Sequence, residues 1–283
     1  MAEIFEFKSG NEVFRTGMKT PTSYPLAFAE YPANELYDES ELKISFENPK
    51  RKLMLEIYPD VWSQGQVSSC CPFATSMIHA MKWFMTFGKK VLFEPCSIYS
   101  RICGGVDQGA LLEDALKEIV RGGVCLKGSW AEFDWSGRSM NMEQKRHAAQ
   151  EALDHRALDV YRLGRDPDTA WRALLSALAR RDFVNGAVHC DDAFFQCGAD
   201  GMLRPARGNG NHSVALIDAK QFGRGIRDYK ILVKNSHGSR WAMKGHCWAG
   251  FDSFVQTFPI HAFFAERNCR LHPDDPIKTL LAA

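Results

Sequence analysis

The sequence of 283 residues predicts an α+β protein with two lobes. Helical periodicity dominates the chain from about residue 72 to residue 181, and short runs rich in valine, isoleucine and aromatic residues follow it. Helices and strands that are segregated in this way are typical of α+β folds rather than of alternating β/α folds. A chain of this length can form one large domain or two lobes that share a core.

The first sixty residues show no clear periodicity. They are interrupted by prolines at positions 21, 25, 32, 49 and 59. Because proline lacks a backbone donor and interrupts regular elements, we expect residues 1–60 to form an irregular, extended segment that lies over the domain.

Four helices are predicted next. The first runs from Pro72 to about Phe87, because apolar residues recur there at spacings of four, four and three and form one stripe. Pro72 is compatible with this helix, since an N–H in the first turn has no intrahelical partner. The other three helices cover Leu111–Arg121, Glu143–Leu158 and Thr169–Arg181.

Three strands are predicted in the second half of the chain. They cover Phe183–His189, Ser213–Ala219 and Tyr229–Lys234, and glycine or asparagine bounds them. We find no internal repeat and no low-complexity tract that would divide the chain further.

Composition limits the partners and the compartment. The formal net charge of +1 provides no bulk attraction to nucleic acid or to a membrane surface, so neither is expected as a partner. No apolar run reaches the roughly 18 residues of a spanning helix, and the first residues lack the pattern of a secretory signal. Nine cysteines without regular spacing are typical of a reducing compartment. We therefore expect the protein in the cytoplasm, or carried in a virion assembled inside a cell.

Three separated segments carry residue types that together support thiol chemistry. Gln64 and Cys70 lie just before the first predicted helix, His212 precedes a predicted strand, and Asn235 follows another. A helix N-terminus favours a thiolate, a histidine can hold the thiol proton, and an amide can orient the histidine ring. The pattern predicts a cysteine nucleophile, its base and the group that orients the base.

These segments resemble the active-site motifs of papain-like cysteine peptidases. The chain has Q-G-Q-V-S-S-C-C-P-F-A at 64–74, N-H-S-V at 211–214 and K-N-S-H-G at 234–238, where the family has Q-G-x-C-G-S-C-W-A-F, N-H-A-V and K-N-S-W-G. His212 follows Cys70 by 142 residues, within the range of about 130–150 that is usual in the family. Trp241 and Gly245 keep the spacing of the family's next tryptophan and glycine.

The resemblance covers about residues 58–265 and implies a fold and an activity. The fold is papain-like, with a helical lobe, a barrel-like antiparallel sheet lobe and the active cleft between them. The activity is hydrolysis of peptide bonds in a peptide or protein substrate, without a metal or other cofactor. Residues 1–57 become an N-terminal extension and residues 266–283 a C-terminal tail. Whether the extension covers the cleft or lies on the surface stays open.

The resemblance also assigns roles to residues of this chain. Cys70 is the nucleophile, His212 its base, and Asn235 the residue that orients the base. Gln64 contributes its side-chain N–H to the oxyanion hole, together with the backbone N–H of Cys70.

A glycine-rich loop and a small pocket are the expected substrate-binding features. The glycines, which let an extended peptide approach the loop backbone, are Gly104, Gly105 and Gly109. They fit a plain turn before the next helix equally well. Ala187 and Ser213 are expected in the pocket for the residue two positions before the scissile bond.

Two departures from the family pattern bear on activity. Cys71 stands where the family has a tryptophan after the nucleophile. His237 stands where the family has the tryptophan that shields the asparagine, and we expect its polar ring to let water reach the hydrogen bond between Asn235 and His212. These changes favour one alternative, a papain-fold structural or interaction protein such as a virion component. The other alternative is an acyl-transfer enzyme, such as a transglutaminase or a deamidase.

Overall fold

The computed structural model describes residues 6–9, 12–19, 28–197, 200–206, 208, 210–258 and 263–269. The helices are α1 (Glu39–Phe46), α2 (Met54–Ile57), α3 (Cys70–Phe87), α4 (Cys96–Ile102), α5 (Leu112–Arg121), α6 (Met142–Ala152), α7 (Pro167–Ala179), α8 (Asp192–Phe195) and α9 (Phe251–Thr257). The strands are β1 (Glu6–Ser9), β2 (Glu12–Arg15), β3 (Ala157–Arg162), β4 (Phe183–Val188), β5 (His212–Gln221), β6 (Tyr229–Lys234), β7 (His246–Gly250) and β8 (Phe263–Cys269).

Helix α3 is the central element of the molecule. It contacts α4 and α5 on one side and strands β4, β5 and β8 on the other. Its first twelve residues are all buried, as its largely apolar sequence requires. Although α3 is the longest helix of the described chain, no helix there combines the length and apolar character needed to cross a membrane.

The strands form a six-stranded antiparallel sheet and a separate hairpin. The sheet order is β3-β8-β4-β5-β6-β7, and β1 pairs with β2. Register places Ala187 of β4 opposite Ser213 of β5, and Ala215 of β5 opposite Lys234 of β6. Helix α3 packs on one face of this sheet and helix α7 on the other, and the combination of helices with an antiparallel sheet confirms the predicted α+β class.

The third predicted helix is too long. Helix α6 ends at Ala152, and strand β3 begins at Ala157, inside the stretch predicted as helical. The reason is tertiary, because β3 pairs with β8 at the edge of the sheet. Strand β8 also crosses residue 265, where the domain was predicted to end, and Glu266 and Cys269 are buried. The remainder of the predicted tail, residues 270–283, lies outside the described residues.

The stretch predicted as irregular contains a packed segment from about residue 28 to residue 58. Asp38 caps α1 through a reciprocal capping box with Glu41, a signal present in the sequence. Helix α1 contacts α7, and Leu42 of α1 is fully buried in the same apolar cluster as the buried residues of α7. This segment is therefore part of the folded unit rather than a loose cover.

Leu42→Ala tests that conclusion. We expect it to lower the free energy of unfolding by about 2–5 kcal/mol, because a buried leucine is replaced by a cavity. Ile44→Ala on the same helix is the matched control, since Ile44 is 74% exposed and its loss should change stability by less than about 0.5 kcal/mol. Equal effects of the two substitutions in chemical denaturation would contradict the packing of α1 described here.

Candidate active site

The thiol of Cys70 lies at the N-terminus of α3 and faces strand β5. Helix α3 begins at Cys70, and its contacts with β5 bring this end of the helix against His212. Both residues are fully buried. The N-terminal end of a helix carries a partial positive charge, so a thiolate at this position is favoured.

The second side of the His212 ring is held by Asn235. Nε2 of His212 lies 2.8 Å from Oδ1 of Asn235. That oxygen also accepts the backbone N–H of Ser236 at 2.8 Å. Nδ1 of His212 has no conventional hydrogen-bond partner among the described residues and is the ring atom that remains for the sulfur of Cys70. Sulfur, imidazole and amide therefore follow one another in the order that the sequence predicts.

The surroundings of Cys70 favour its thiolate. Burial opposes ionisation, but hydrogen bonds from Cys71 and His212, the charge of His212 and the N–H of Ser213 outweigh it. The pKa of the Cys70 thiol is consequently well below its ordinary value. A thiolate at neutral pH is the nucleophilic form of cysteine.

Cys71 contributes a hydrogen bond to the sulfur of Cys70, a role that the sequence did not indicate. Its thiol is buried beside that of Cys70, and burial together with the neighbouring Cys70 raises its pKa well above the ordinary value. Cys71 therefore stays a thiol and can donate its proton to the Cys70 sulfur. The carbonyl oxygen of Ala110, 3.5 Å from Sγ of Cys71, is a second acceptor within reach. No sequence signal distinguishes this role from that of an ordinary buried cysteine.

Gln64 joins the two sides of the site. Its Oε1 accepts the hydroxyl of Ser236 at 2.6 Å, and its backbone N–H donates to the carbonyl of the same residue at 2.9 Å. Its Nε2 donates to the carbonyl of Val67 at 2.9 Å and to that of Arg15 at 2.8 Å. The amide predicted to serve an oxyanion is thus bonded to backbone oxygens, one of which belongs to the N-terminal segment.

Residues 12–19 run along this site, and we call them the arm. The carbonyl of Gly17 accepts the N–H of Ala110 at 2.8 Å, and the N–H of Lys19 donates to the carbonyl of Ala110 at 2.8 Å. The N–H of Met18 donates to the carbonyl of Asn211 at 3.1 Å. The arm is therefore bonded both to the loop before α5 and to the residue before His212.

Close packing holds the arm against the residues beside Cys70. A Cβ atom on Gly17 would lie 2.2 Å from the carbonyl oxygen of Ser68, so only glycine fits there. Gly109 is equally restricted, because its φ is +77° and a Cβ atom would lie 2.1 Å from the carbonyl oxygen of Gly17. Gly104 and Gly105 differ, since a Cβ atom on either would meet nothing within 4 Å.

The two residues predicted for the substrate pocket lie opposite each other on β4 and β5. Ala187 and Ser213 are both fully buried. The hydroxyl of Ser213 donates to Oδ1 of Asn185 at 2.7 Å, so it is satisfied inside the protein. Ala187 belongs to the same cluster of buried apolar residues as Cys70 and Met18 of the arm.

The ring of His237 is buried over the hydrogen bond between Asn235 and His212, so the expectation that it lets water reach this bond was wrong. The ring of His237 is 1% exposed and stacks on that of His212, with centroids 4.6 Å apart. Phe14 of the arm and Phe195 of α8 pack on it in turn, at 5.1 and 5.3 Å. At the position where a shielding tryptophan was expected, this chain thus has the imidazole of His237, and that ring covers the hydrogen bond between Asn235 and His212.

Metal ligation has no support in the part of the chain that the structure describes. No three histidine, cysteine, aspartate or glutamate side chains within it are grouped so that they could hold a metal ion. The side chains gathered around Cys70 instead provide a thiol, an imidazole, amides and backbone N–H groups, which are the groups used in acyl transfer.

Comparison with solved structures identifies the fold. The chain is similar to xylellain, a cysteine protease from Xylella fastidiosa, with 15% identity, coverage of 90% of this chain and 96% of that one, and a TM-score of 0.66. It is similar to a stem bromelain precursor, with 17% identity, 87% and 76% coverage and a TM-score of 0.63. Digestive procathepsin L 3 from the larval midgut of Tenebrio molitor gives 15% identity, 82% and 79% coverage and a TM-score of 0.59.

These similarities establish a papain-like, two-lobed α+β fold, as the sequence predicted. No model of a protein family and no curated protein matches the sequence.

Cys71→Ala is expected to raise the pKa of the Cys70 thiol. A hydrogen bond to a charged acceptor contributes about 1.5–3 kcal/mol, so its loss should move the thiolate titration upward by about one unit or more. The titration is followed by ultraviolet thiolate absorbance, as the difference from the same protein carrying Cys70→Ala. Cys71→Ser keeps an O–H donor and is the control, for which we expect a titration close to that of the wild type. A Cys71→Ala profile that matches the wild type would rule out this role.

Proposed function

From the papain-like fold and the contacts of Cys70, we propose that this chain is a cysteine peptidase. The observation that carries the proposal is a thiol of lowered pKa beside a histidine whose far nitrogen lies 2.8 Å from an amide oxygen. An inert buried cysteine has a raised pKa instead, as Cys190 has through burial and the neighbouring Cys70. The proposed catalytic residues are Cys70, His212, Asn235 and Gln64.

The proposed reaction has two halves. The Cys70 thiolate attacks the substrate carbonyl carbon, and the carbonyl electron pair moves to the oxygen, which the N–H groups of Gln64 and Cys70 stabilise. The C–N bond then breaks as the His212 imidazolium gives its proton to the leaving amine, which leaves a thioester on Cys70. Water next attacks the thioester while His212 accepts a proton from it. The acid leaves, and the thiolate and imidazolium are restored.

The arm is proposed to hold this enzyme in a closed state. Three observations support this: Nε2 of Gln64 donates to the arm carbonyl of Arg15, Gly17 packs on Ser68, and Gly17 and Lys19 bond to both backbone groups of Ala110. A substrate that needs the Gln64 N–H and the backbone groups of Ala110 competes with the arm for them. Displacement of the arm would therefore be the step that opens the site.

A binding protein on the same fold is the second candidate. The observation that favours it is that both N–H groups of Gln64 are bonded to backbone carbonyls, those of Arg15 and Val67. A protein that never releases the arm would use the cleft to fix its own N-terminal segment rather than to bind a substrate. The two candidates differ in whether the arm can be displaced to give a reactive thiol.

Cys70→Ala is the direct test of the peptidase. We expect peptide hydrolysis to fall by about 10³-fold or more, because the nucleophile is removed while a small buried residue remains. An epoxide-type inhibitor of cysteine peptidases should label Cys70 in the wild type, as read by mass spectrometry of the labelled peptide, and His212→Ala should abolish the label. Cys190→Ala, which removes another buried thiol, is the control and should keep both activity and label. Label on another cysteine would move the nucleophile elsewhere.

Gly17→Ala tests the closed state. Its Cβ atom cannot fit against Ser68, so we expect the arm to be displaced and the rate of Cys70 labelling to rise by at least about tenfold, a difference of 1.4 kcal/mol in arm binding. Gly250→Ala is the control, because a Cβ atom there meets nothing within 4 Å. The intact mass of both proteins shows whether the arm is also cut. If Gly17→Ala and Gly250→Ala react at the same rate, the arm does not close the site.

A further inference from the structure

His237 lies opposite His212 because of the register between β5 and β6. Ala215 pairs with Lys234 in that register, and its continuation past the end of β6 brings residue 237 opposite residue 212. Ser63 pairs with His237 on the other side and fixes its backbone. The two imidazole rings consequently stack at 4.6 Å, with 29° between their planes.

The same ring contacts the amide of Asn235. Nδ2 of Asn235 lies 3.2 Å from Nδ1 of His237, whereas Oδ1 faces both Nε2 of His212 and the N–H of Ser236. All three contacts require one orientation of the amide. If the amide were rotated by half a turn, its NH₂ group would face the two donors, Nε2–H of His212 and N–H of Ser236, and its oxygen would face an acceptor.

Nδ1 of His237 can accept this hydrogen bond only while the ring is neutral with its proton on Nε2. Burial, and then the charge of His212, lower the pKa of His237 well below its ordinary value. Arg240 borders the same small pocket as His237, and Arg15 of the arm is paired with Glu6 of β1 at 2.6 Å. Among the described residues that line this pocket beside His237, the charged side chain is the cationic Arg240, which does not favour a proton on Nδ1.

We propose that His237 is a positioning residue, which accepts the amide hydrogen of Asn235 and so holds the amide oxygen on Nε2–H of His212. This inference rests on the proposed function of Cys70 and His212. A tryptophan at this position would shield the hydrogen bond but could not fix the amide in this way, since an indole N–H is only a donor. The imidazole of His237 combines the shielding ring with an acceptor.

The experiment separates the acceptor from the ring. His237→Phe keeps a ring that can stack on His212 but removes the acceptor. His237→Asn removes the ring but keeps an oxygen acceptor at the place of Nδ1. The readout is the pH titration of the Cys70 thiolate by ultraviolet absorbance in the full chain, taken as the difference from the same variant with Cys70→Ala. Thermal unfolding of each variant is recorded beside it.

We expect His237→Phe to shift the thiolate titration upward by about one pH unit, which leaves about tenfold less thiolate at a pH below the midpoint. The cause is that an unfixed amide stabilises the His212 imidazolium less, and the thiolate loses that charge. His237→Asn should keep the wild-type titration of the Cys70 thiolate, even if its thermal stability is lower. A shifted titration in His237→Phe together with an unshifted one in His237→Asn would distinguish a positioning role from a merely structural one.

Three other results would overturn the inference. A His237→Phe titration equal to that of the wild type, or equal shifts in the Phe and Asn variants, would show that the acceptor has no effect on the pair. Those results would leave the proposed peptidase intact. A wild-type protein in which Cys70 forms no thiolate below the ordinary thiol range would overturn the catalytic pair and, with it, any positioning by His237.

Discussion

The register between β5 and β6 is the constraint on which the site depends. Ala215 pairs with Lys234, and this pairing brings Asn235, just past the end of β6, within 2.8 Å of the His212 ring at the start of β5. A slip of one residue would turn Asn235 and His237 to the opposite face of the sheet, because side chains alternate along a strand. The hydrogen bond between His212 and Asn235 therefore depends on strand pairing as well as on the two residues themselves.

A buried carboxylate lies at an irregularity of the same ladder. The ladder shifts by one residue between Leu216 and Asp218, as at a β-bulge. The buried carboxylate of Asp218 accepts from Arg51 at 2.9 Å, from Arg181 at 2.7 Å and from the N–H of Met54 at 2.9 Å. Removal of one partner from a buried charge is costly. The packed N-terminal segment is thus bonded, through Arg51 and Met54, at the bulge of the strand that begins with His212.

Residues defined by local pattern could be read from the sequence, whereas those defined by packing could not. The stripe of α3 and the order of Cys70, His212 and Asn235 follow from periodicity and motif. The contribution of Cys71 could not be predicted, because its sulfur acts through its distance to Cys70 and not through a pattern. The hydrogen bond from Gln64 to the carbonyl of Arg15 joins residues 49 positions apart. Because every residue carries a backbone carbonyl, no side chain in the sequence indicates this bond. Strand β3 was not predicted from the sequence for a similar reason, since its partner β8 lies far along the chain.

The burial of the thiol and the histidine bears on how the proposed closed state would open. An ion pair formed in a buried site loses hydration, and here hydrogen bonds from Cys71 and the N–H of Ser213 replace part of it. The arm supplies the cover, through Phe14 on His237 and Gly17 against Ser68. Because the donors that stabilise the thiolate belong to α3 and β5 and not to the arm, the arm can leave without removing them. In the proposed peptidase, Cys70 and His212 would therefore already be paired before the arm leaves, and its departure would give a substrate access to the sulfur.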